Sequence, residues 1–215
     1  MKVGIVGTGR VAEALGGAWA DRGHDLRIAG REPGRAAELA AKLGRGAKSC
    51  STAELFAEAQ VILLAIPWSS VHDVLREAGD LAGRVLIDCI NPLHPNNFTE
   101  LADLGDASST ADQIQRWSPG VKVVKAFNTV SAATMKAPRF GDHHATLPFC
   151  GDDPEAKALV GRLIADAGFD PLDVGGVEEA SLLESMALLV IRLAARRRMG
   201  ADLGWKLLRR DPAAG

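Results

Sequence analysis

Short apolar runs rich in β-branched residues alternate along the chain with longer stretches in which apolar positions recur every three or four residues. The runs KVGIVG, DLRIAG, QVILLAIP, RVLIDCINP, KVVKAFN, ATLPFCG and DPLDVGG read as strands. Helical periodicity fills Val11–Arg22, Gly34–Leu43, Thr52–Glu58, Ser69–Ala78, Asp112–Trp117 and Pro154–Ala167. These connections are long enough to cross between parallel strands. The strand runs are apolar throughout rather than alternating, which is the pattern of a sheet covered by helices on both faces. The expectation is an α/β fold: a doubly wound, mostly parallel Rossmann sheet with a small C-terminal helical part.

The tail SLLESMALLVIRLAARRR is apolar at 182, 183, 186, 189, 190 and 193, and again at 187, 188 and 191. A helix apolar nearly all round needs burial on several sides. It is therefore expected to pack on the sheet edge and against a second subunit, although a core helix within one chain satisfies the same rule. The chain divides accordingly into a dinucleotide-binding domain, 1–175, and a C-terminal helical region, 176–215, that closes a cleft and dimerises. Arg196 to Arg198 read as a solvated helix end favoured by the dipole.

Composition narrows the function. With 25 basic and 27 acidic residues among 215, the net charge of -2 produces no field that would recruit nucleic acid or an anionic membrane. No run of eighteen apolar residues would span a bilayer, and MKVGIVGTGR has no export signal. Cys50, Cys89 and Cys150 lie far apart without a C-x-x-C, so reduced thiols in a cytoplasm are expected rather than disulfides or structural zinc. Cys89 reads as a small buried apolar residue. Adjacent His143 and His144 cannot share a face and read as a surface loop, so no metal is expected. His94, in NPLHPNN, stands nearer the strand ends where ligands bind.

The chemistry is concentrated at the first turn. Gly7-Thr8-Gly9-Arg10-Val11-Ala12 follows an apolar strand and opens a helix, giving G-x-G-x-x-A in the context that dinucleotide binding requires. Gly7 permits the turn, Gly9 lets a pyrophosphate reach the backbone, and Ala12 lets helix and strand approach. At the end of the second strand, Gly30 is too short to reach a ribose. Arg31 follows with a fork of donors suited to phosphate oxygens, and Arg35 stands one helical turn on. Glu32 is assigned to the helix start, where a carboxylate meets the positive dipole end. Arg31, Arg35 and Thr8 together favour a 2′-phosphate, and so NADP(H) over NAD. Ala65, Ile66 and Pro67 should lie along the nicotinamide ribose, INPL at 90–93 closes the next strand, and Trp68 either walls the pocket or caps the core.

Through GTGRVAEAL, GRE, LLAIPWSSV, LIDCINPL, KVVKAFNTV, FCGDDPEAKALV and LLESMALLVIRLAARRRMGADLGWKLL, the chain resembles the NADPH-dependent coenzyme F420 reductase family nearly end to end. The ferrireductase domains of STEAP metalloreductases look related. The resemblance implies a dimer passing hydride between NADPH and a deazaflavin, with NADP on Thr8, Gly9, Arg10, Val11, Arg31 and Arg35. Archaeal members carry His-Thr-Ile near the hydride-transfer point, where this chain has Asn128, Thr129 and Val130. These three shape the expected hydride-transfer surface, with Asn128 orienting a ring carbonyl; its competing role is that of a turn residue satisfying backbone groups.

Hydride transfer between two flat rings asks mainly for orientation and exclusion of water. The expected function is thus a cytoplasmic NADP(H)-dependent oxidoreductase whose small-molecule acceptor is F420 or a flavin, FMN or FAD. The alternatives are reduction of a carbonyl, imine or ferric substrate, and a regulatory module that binds NADP(H) without turnover. A carbonyl or imine reductase needs a proton donor, usually a Lys or His in the C-terminal helices, and SLLESMALLVIRLAARRR has neither.

Overall fold

The computed structural model describes residues 1–210, so residues 211–215 of the expected C-terminal region lie outside it. In chain order the first half comprises β1 (Lys2–Val6), α1 (Arg10–Asp21), β2 (Asp25–Ala29), α2 (Pro33–Leu43), β3 (Lys48–Ser49), α3 (Thr52–Glu58), β4 (Val61–Leu64), α4 (Val71–Ala78) and β5 (Val85–Asp88). A hairpin of β6 (Leu93–His94) and β7 (Asn97–Leu101) follows, then α5 (Thr110–Trp117), β8 (Lys122–Lys125) and α6 (Ala132–Lys136). A second hairpin of β9 (Arg139–Phe140) and β10 (His143–His144) leads to β11 (Thr146–Gly151), α7 (Pro154–Asp166), β12 (Asp170–Asp173) and α8 (Ala180–Arg196).

Eight strands form one sheet in the order β12-β11-β8-β5-β4-β1-β2-β3. The six from β8 to β3 run parallel; β11 turns antiparallel to β8 and carries β12 parallel to itself. This is the doubly wound, mostly parallel arrangement expected. Alternate side chains enter opposite layers. Val3, Ile5, Val61 and Leu63 pack with Leu15 and Trp19 of α1, Leu39 of α2 and Leu163 of α7. Val6, Ile62, Leu64 and Leu86 pack with Leu55 of α3, Leu75 of α4, Ile114 of α5 and Leu183 of α8. Burying each such aliphatic side chain contributes about 1.5–3 kcal/mol.

Local chemistry corrects several boundaries. Pro33 and Pro154 occupy the first helical turn, where a missing N–H costs nothing, so α2 starts one residue before the expected Gly34. Ser109 accepts a bond from Asp112 N and starts α5 at Thr110. Trp68–Ser70 form a 3-10 turn, which delays α4 to Val71. The two hairpins and α6 are too short to show a period in the sequence. His143 and His144 accordingly form an exposed two-residue strand rather than a loop, with His144 Nδ1 2.7 Å from the Gly168 carbonyl oxygen.

α8 packs on β11, β7 and α5 through Ala180, Leu183, Glu184, Ala187 and Val190, while Leu182 and Leu189 stay 63% and 47% exposed. Burial within the chain thus accounts for one face only. The basic helix end is anchored: Arg192 Nε donates to the Thr99 carbonyl at 2.9 Å and Arg196 Nη2 to Thr99 Oγ1 at 2.6 Å.

Candidate functional site

β1 pairs with β2 on one side and β4 on the other, so the connections leave it in opposite directions. Ligands in open α/β sheets bind at such a switch point, outside the carboxyl ends of the strands. Here those ends open into a cleft of about 1000 Å³ lined by Gly7, Thr8, Gly9, Gly30, Arg31, Arg35, Ala65, Ile66 and Pro67. Arg10 and Val11 are the first residues of α1, just beyond that lining. The sequence reading missed the second wall, where Cys50, Ser51, Asp73, Val74 and Glu77 come from the loop after β3 and from α4.

Gly7 has φ +126° and its N–H donates to the Ala29 carbonyl at 2.8 Å. A Cβ there would stand 2.2 Å from the Ala65 oxygen. Backbone from three strand ends therefore meets where only glycine fits. Gly9 differs: it is the N-cap of α1 in extended conformation, without a side-chain cap, and a Cβ would meet nothing within 4 Å. The first N–H groups of α1 are thus left for an anion beside open space. This cradle and the arginines fit a dinucleotide phosphate.

Arg31 and Arg35 line the same cleft as Thr8, whose methyl lies 3.1 Å from where a Cβ on Gly30 would be. Glu32 is the N-cap of α2 but its side chain makes no cap hydrogen bond. Its carboxylate instead pairs with Arg35 Nε at 3.0 Å, both groups facing solvent. Trp68 stacks on Trp117 with centroids 5.1 Å apart, packing against the core rather than lining the cleft. His94 lies in β6, where its Nδ1 accepts from Asn96 N at 3.3 Å. Cys89 is half-buried; withdrawal from water and the neighbouring Asp88 push its thiol up to about 12. Its Sγ donates to the Leu64 carbonyl at 3.3 Å.

The chain leaves β8 through a strained residue. Phe127, fully buried and edge-on to Trp19, has φ +65°, a left-handed conformation that non-glycine residues adopt at a cost of about 1–3 kcal/mol. The turn that follows carries Asn128, Thr129 and Val130, all buried and outside the cleft lining. Asn91, at the end of the β5 loop, grips Asn128. Its Nδ2 donates to the Asn128 carbonyl at 2.9 Å, and Asn128 Nδ2 donates to Asn91 Oδ1 at 3.0 Å. Asn128 Oδ1 and Thr129 Oγ1 have no hydrogen-bond partner among the described residues. Buried polar atoms of this kind are costly unless something satisfies them.

Beneath this turn lies a charged cluster the sequence reading did not single out. Lys125 Nζ is 3.0 Å from Asp88 Oδ2 and 2.7 Å from Glu184 Oε1, with all three side chains withdrawn from solvent. Burial opposes the ammonium charge, but the two carboxylates outweigh it and hold the Lys125 pKa above the ordinary lysine value. The sequence carried a signal: Lys in KVVKAF, Asp in VLID and Glu in SLLESM each break a run that otherwise calls for apolar residues. Lys125 is wholly enclosed by acceptors, so it is not available as the proton donor that a carbonyl or imine reductase requires.

The family model for NADP oxidoreductase, coenzyme F420-dependent, matches residues 2–92. Over the whole fold, the structure of a putative F420-dependent NADP reductase from Arthrobacter sp. FB24 is 30% identical, with TM-score 0.85, covering 97% of this chain and 100% of that one. The chain belongs to the F420-dependent NADP oxidoreductase family. Among its relatives, the F420-dependent NADP reductase of Methanothermobacter marburgensis is 27% identical over 93% of this chain and 95% of its own length. Rat metalloreductase STEAP3 is 32% identical over 191 residues, 88% of this chain, but the chain spans only 37% of that relative's length. Membership in this family makes the protein an NADP-dependent oxidoreductase, and among the described residues no helix is long and apolar enough to cross a membrane.

Proposed function

We propose that the protein passes hydride from NADPH to a second flat redox carrier, the deazaflavin F420 or a flavin. Arg31 and Arg35, with Thr8, would hold the 2′-phosphate, and the first N–H groups of α1, from Gly9 through Arg10 and Val11, would hold the pyrophosphate. Ala65, Ile66 and Pro67 would support the nicotinamide ribose. When bound, NADPH supplies the hydride. The residues' part is to orient the rings and keep water out, which can contribute several kcal/mol without an acid or base.

The observation that carries this reading is the turn after β8. A strained, fully buried Phe127 presents Asn128, Thr129 and Val130, with two buried polar atoms lacking partners among the described residues. Buried and outside the cleft lining here, these groups would offer hydrogen bonds to a ring edge once the turn is uncovered, rather than a proton to a carbonyl. Within residues 176–210, α8 is the helical part and would close the cleft. The outward face of α8 and an apolar groove of about 300 Å³ lined by Leu172, Val174, Leu182, Met186 and Leu207 support a homodimer through the C-terminal helices; the cytoplasm is the compartment this reading assigns it.

The test is NADPH oxidation followed with F420, FMN, FAD and a ferric chelate, each supplied alone. Turnover with F420 or a flavin is the expected result. Turnover with the ferric chelate alone would favour the reading suggested by the metalloreductase relative. Tight NADPH binding without turnover by any of them would leave a regulatory module instead.

A further inference from the structure

At one atom Lys125 joins β8 to the end of β5 and its loop, to α5 and to α8. Besides Asp88 and Glu184, its Nζ meets the Ile90 carbonyl at 2.5 Å and Thr110 Oγ1 at 2.6 Å. An ammonium has three protons, so four acceptors exceed what it can serve singly. Thr110 relieves the excess: its hydroxyl donates to Asp88 Oδ2 at 2.5 Å or Glu184 Oε1 at 2.9 Å, and its backbone N–H donates to Glu184 Oε1 at 2.9 Å. Ile90 N completes the set by donating to Asp88 Oδ1 at 2.9 Å.

We propose that Lys125 is a positioning residue that sets the loop after β5 and helix α8 relative to the end of β8, and so places the Asn91–Asn128 pair. The path is short. Asp88 and Ile90 flank the start of the loop that ends in Asn91, and Lys125 precedes Asn128 by three residues on the strand that delivers it. Glu184 brings in α8, the helix expected to close the cleft. An apolar core would hold α8 equally well, since replacing buried ion pairs by hydrophobic residues is often neutral or stabilising. Apolar contacts, however, tolerate sliding and rotation, whereas short charge-assisted hydrogen bonds define both distance and direction. The cluster therefore contributes geometry more than stability.

This inference deepens the proposed hydride-transfer reading and rests on it for its kinetic consequence, but not for its structural one. The decisive variant removes all charges together, Lys125→Met with Asp88→Asn and Glu184→Gln, so that no buried ion is left unpaired. Thr110→Val serves as a milder companion should the triple variant fail to fold. Hydrogen–deuterium exchange is followed at 89–93 and 126–131, with 2–21 as internal reference. NADPH affinity and kcat are measured alongside with whichever acceptor supports turnover.

The expected result is exchange at least about tenfold faster at 89–93 and 126–131, with no change at 2–21 and NADPH affinity within about twofold. A fall of about tenfold or more in kcat at unchanged KM for NADPH should accompany it. A folded variant with wild-type exchange in both segments overturns the proposal, as does a uniform rise across the chain. If the wild-type protein turns over no acceptor, the hydride-transfer reading fails, while the exchange pattern still decides the role of Lys125.

Discussion

Asn91 and Asn128 hold each other by two hydrogen bonds of opposite sense, side chain to carbonyl at 2.9 Å and side chain to side chain at 3.0 Å. The pair fixes which way the Asn128 amide points, leaving its Oδ1 without a partner among the described residues. Asn91→Ala should strand two buried groups at a cost of about 1–3 kcal/mol. For a chain of this size that corresponds to a melting temperature lower by about 2–4 °C per kcal/mol. Thermal unfolding checks the stability, and kcat should fall more than NADPH affinity does.

Gly7 and Gly9 should respond differently to the same change. Gly7→Ala adds a Cβ against the Ala65 oxygen at a φ of +126°, so the variant should lose folded yield as well as binding. Gly9→Ala meets nothing within 4 Å and should fold normally while binding NADPH more weakly. Circular dichroism beside a binding titration separates the two, and Gly9→Ala with unchanged affinity would remove Gly9 from the phosphate cradle.

Arg35 is shared between the cleft and Glu32, 3.0 Å away. Arg31→Ala and Arg35→Ala should each weaken NADPH by about ten- to a hundredfold, the range of a lost charge-assisted hydrogen bond, and weaken NADH far less. Glu32→Gln releases Arg35 and removes a negative charge from the cleft, so NADPH should bind a few-fold tighter. Dissociation constants for both nucleotides measure this; equal losses for both in the arginine variants would contradict the 2′-phosphate assignment.

Glu13 of α1 links two other helices, meeting Lys42 of α2 at 2.9 Å and Lys136 of α6 at 2.6 Å. The hydrogen bonds from Lys136 and then Lys42 hold its carboxyl down at about 2 against an ordinary 4.5. A carboxyl depressed on folding stabilises above its unfolded pKa and loses that contribution as the pH falls through its folded value. Stability should therefore decline between about pH 4.5 and 2, and Glu13→Gln should flatten that limb. The effect should be small and shrink in salt, because both lysines face solvent. Denaturation midpoints across that range, at low and high salt, provide the measurement.

Much of the cleft was legible in the sequence because its determinants are local. A glycine turn after an apolar strand, and arginines just past the next strand, are separated by fixed lengths of regular structure, so their spacing implies their position. The wall containing Cys50, Asp73 and Glu77 carried no such signal, since nothing in those residues marks which way α4 faces. Glu32 stands at the helix start as expected, and its pairing with Arg35 is an addition the sequence reading did not include.

The alternation of apolar runs and amphipathic stretches determined by itself that this chain forms a doubly wound sheet with a nucleotide turn after β1. Periodicity is a property of neighbouring residues, and continuous apolar strands between amphipathic helices require a parallel sheet buried on both faces, with the glycine turn after the first strand pointing to the open, nucleotide-binding form. Only the tertiary structure decided what stands behind the site. Lys125 meets Asp88 across 37 residues and Glu184 across 59, and Asn91 meets Asn128 across 37. Lys125, Asp88 and Glu184 each look, in their own segments, like a lone polar residue in an apolar run, and nothing near Asn128 in the sequence points to Asn91. Their meaning comes from the strand order that sets β8 beside β5 and from the packing of α8 on β11 and α5, and no local pattern records which distant charge will complete a buried one.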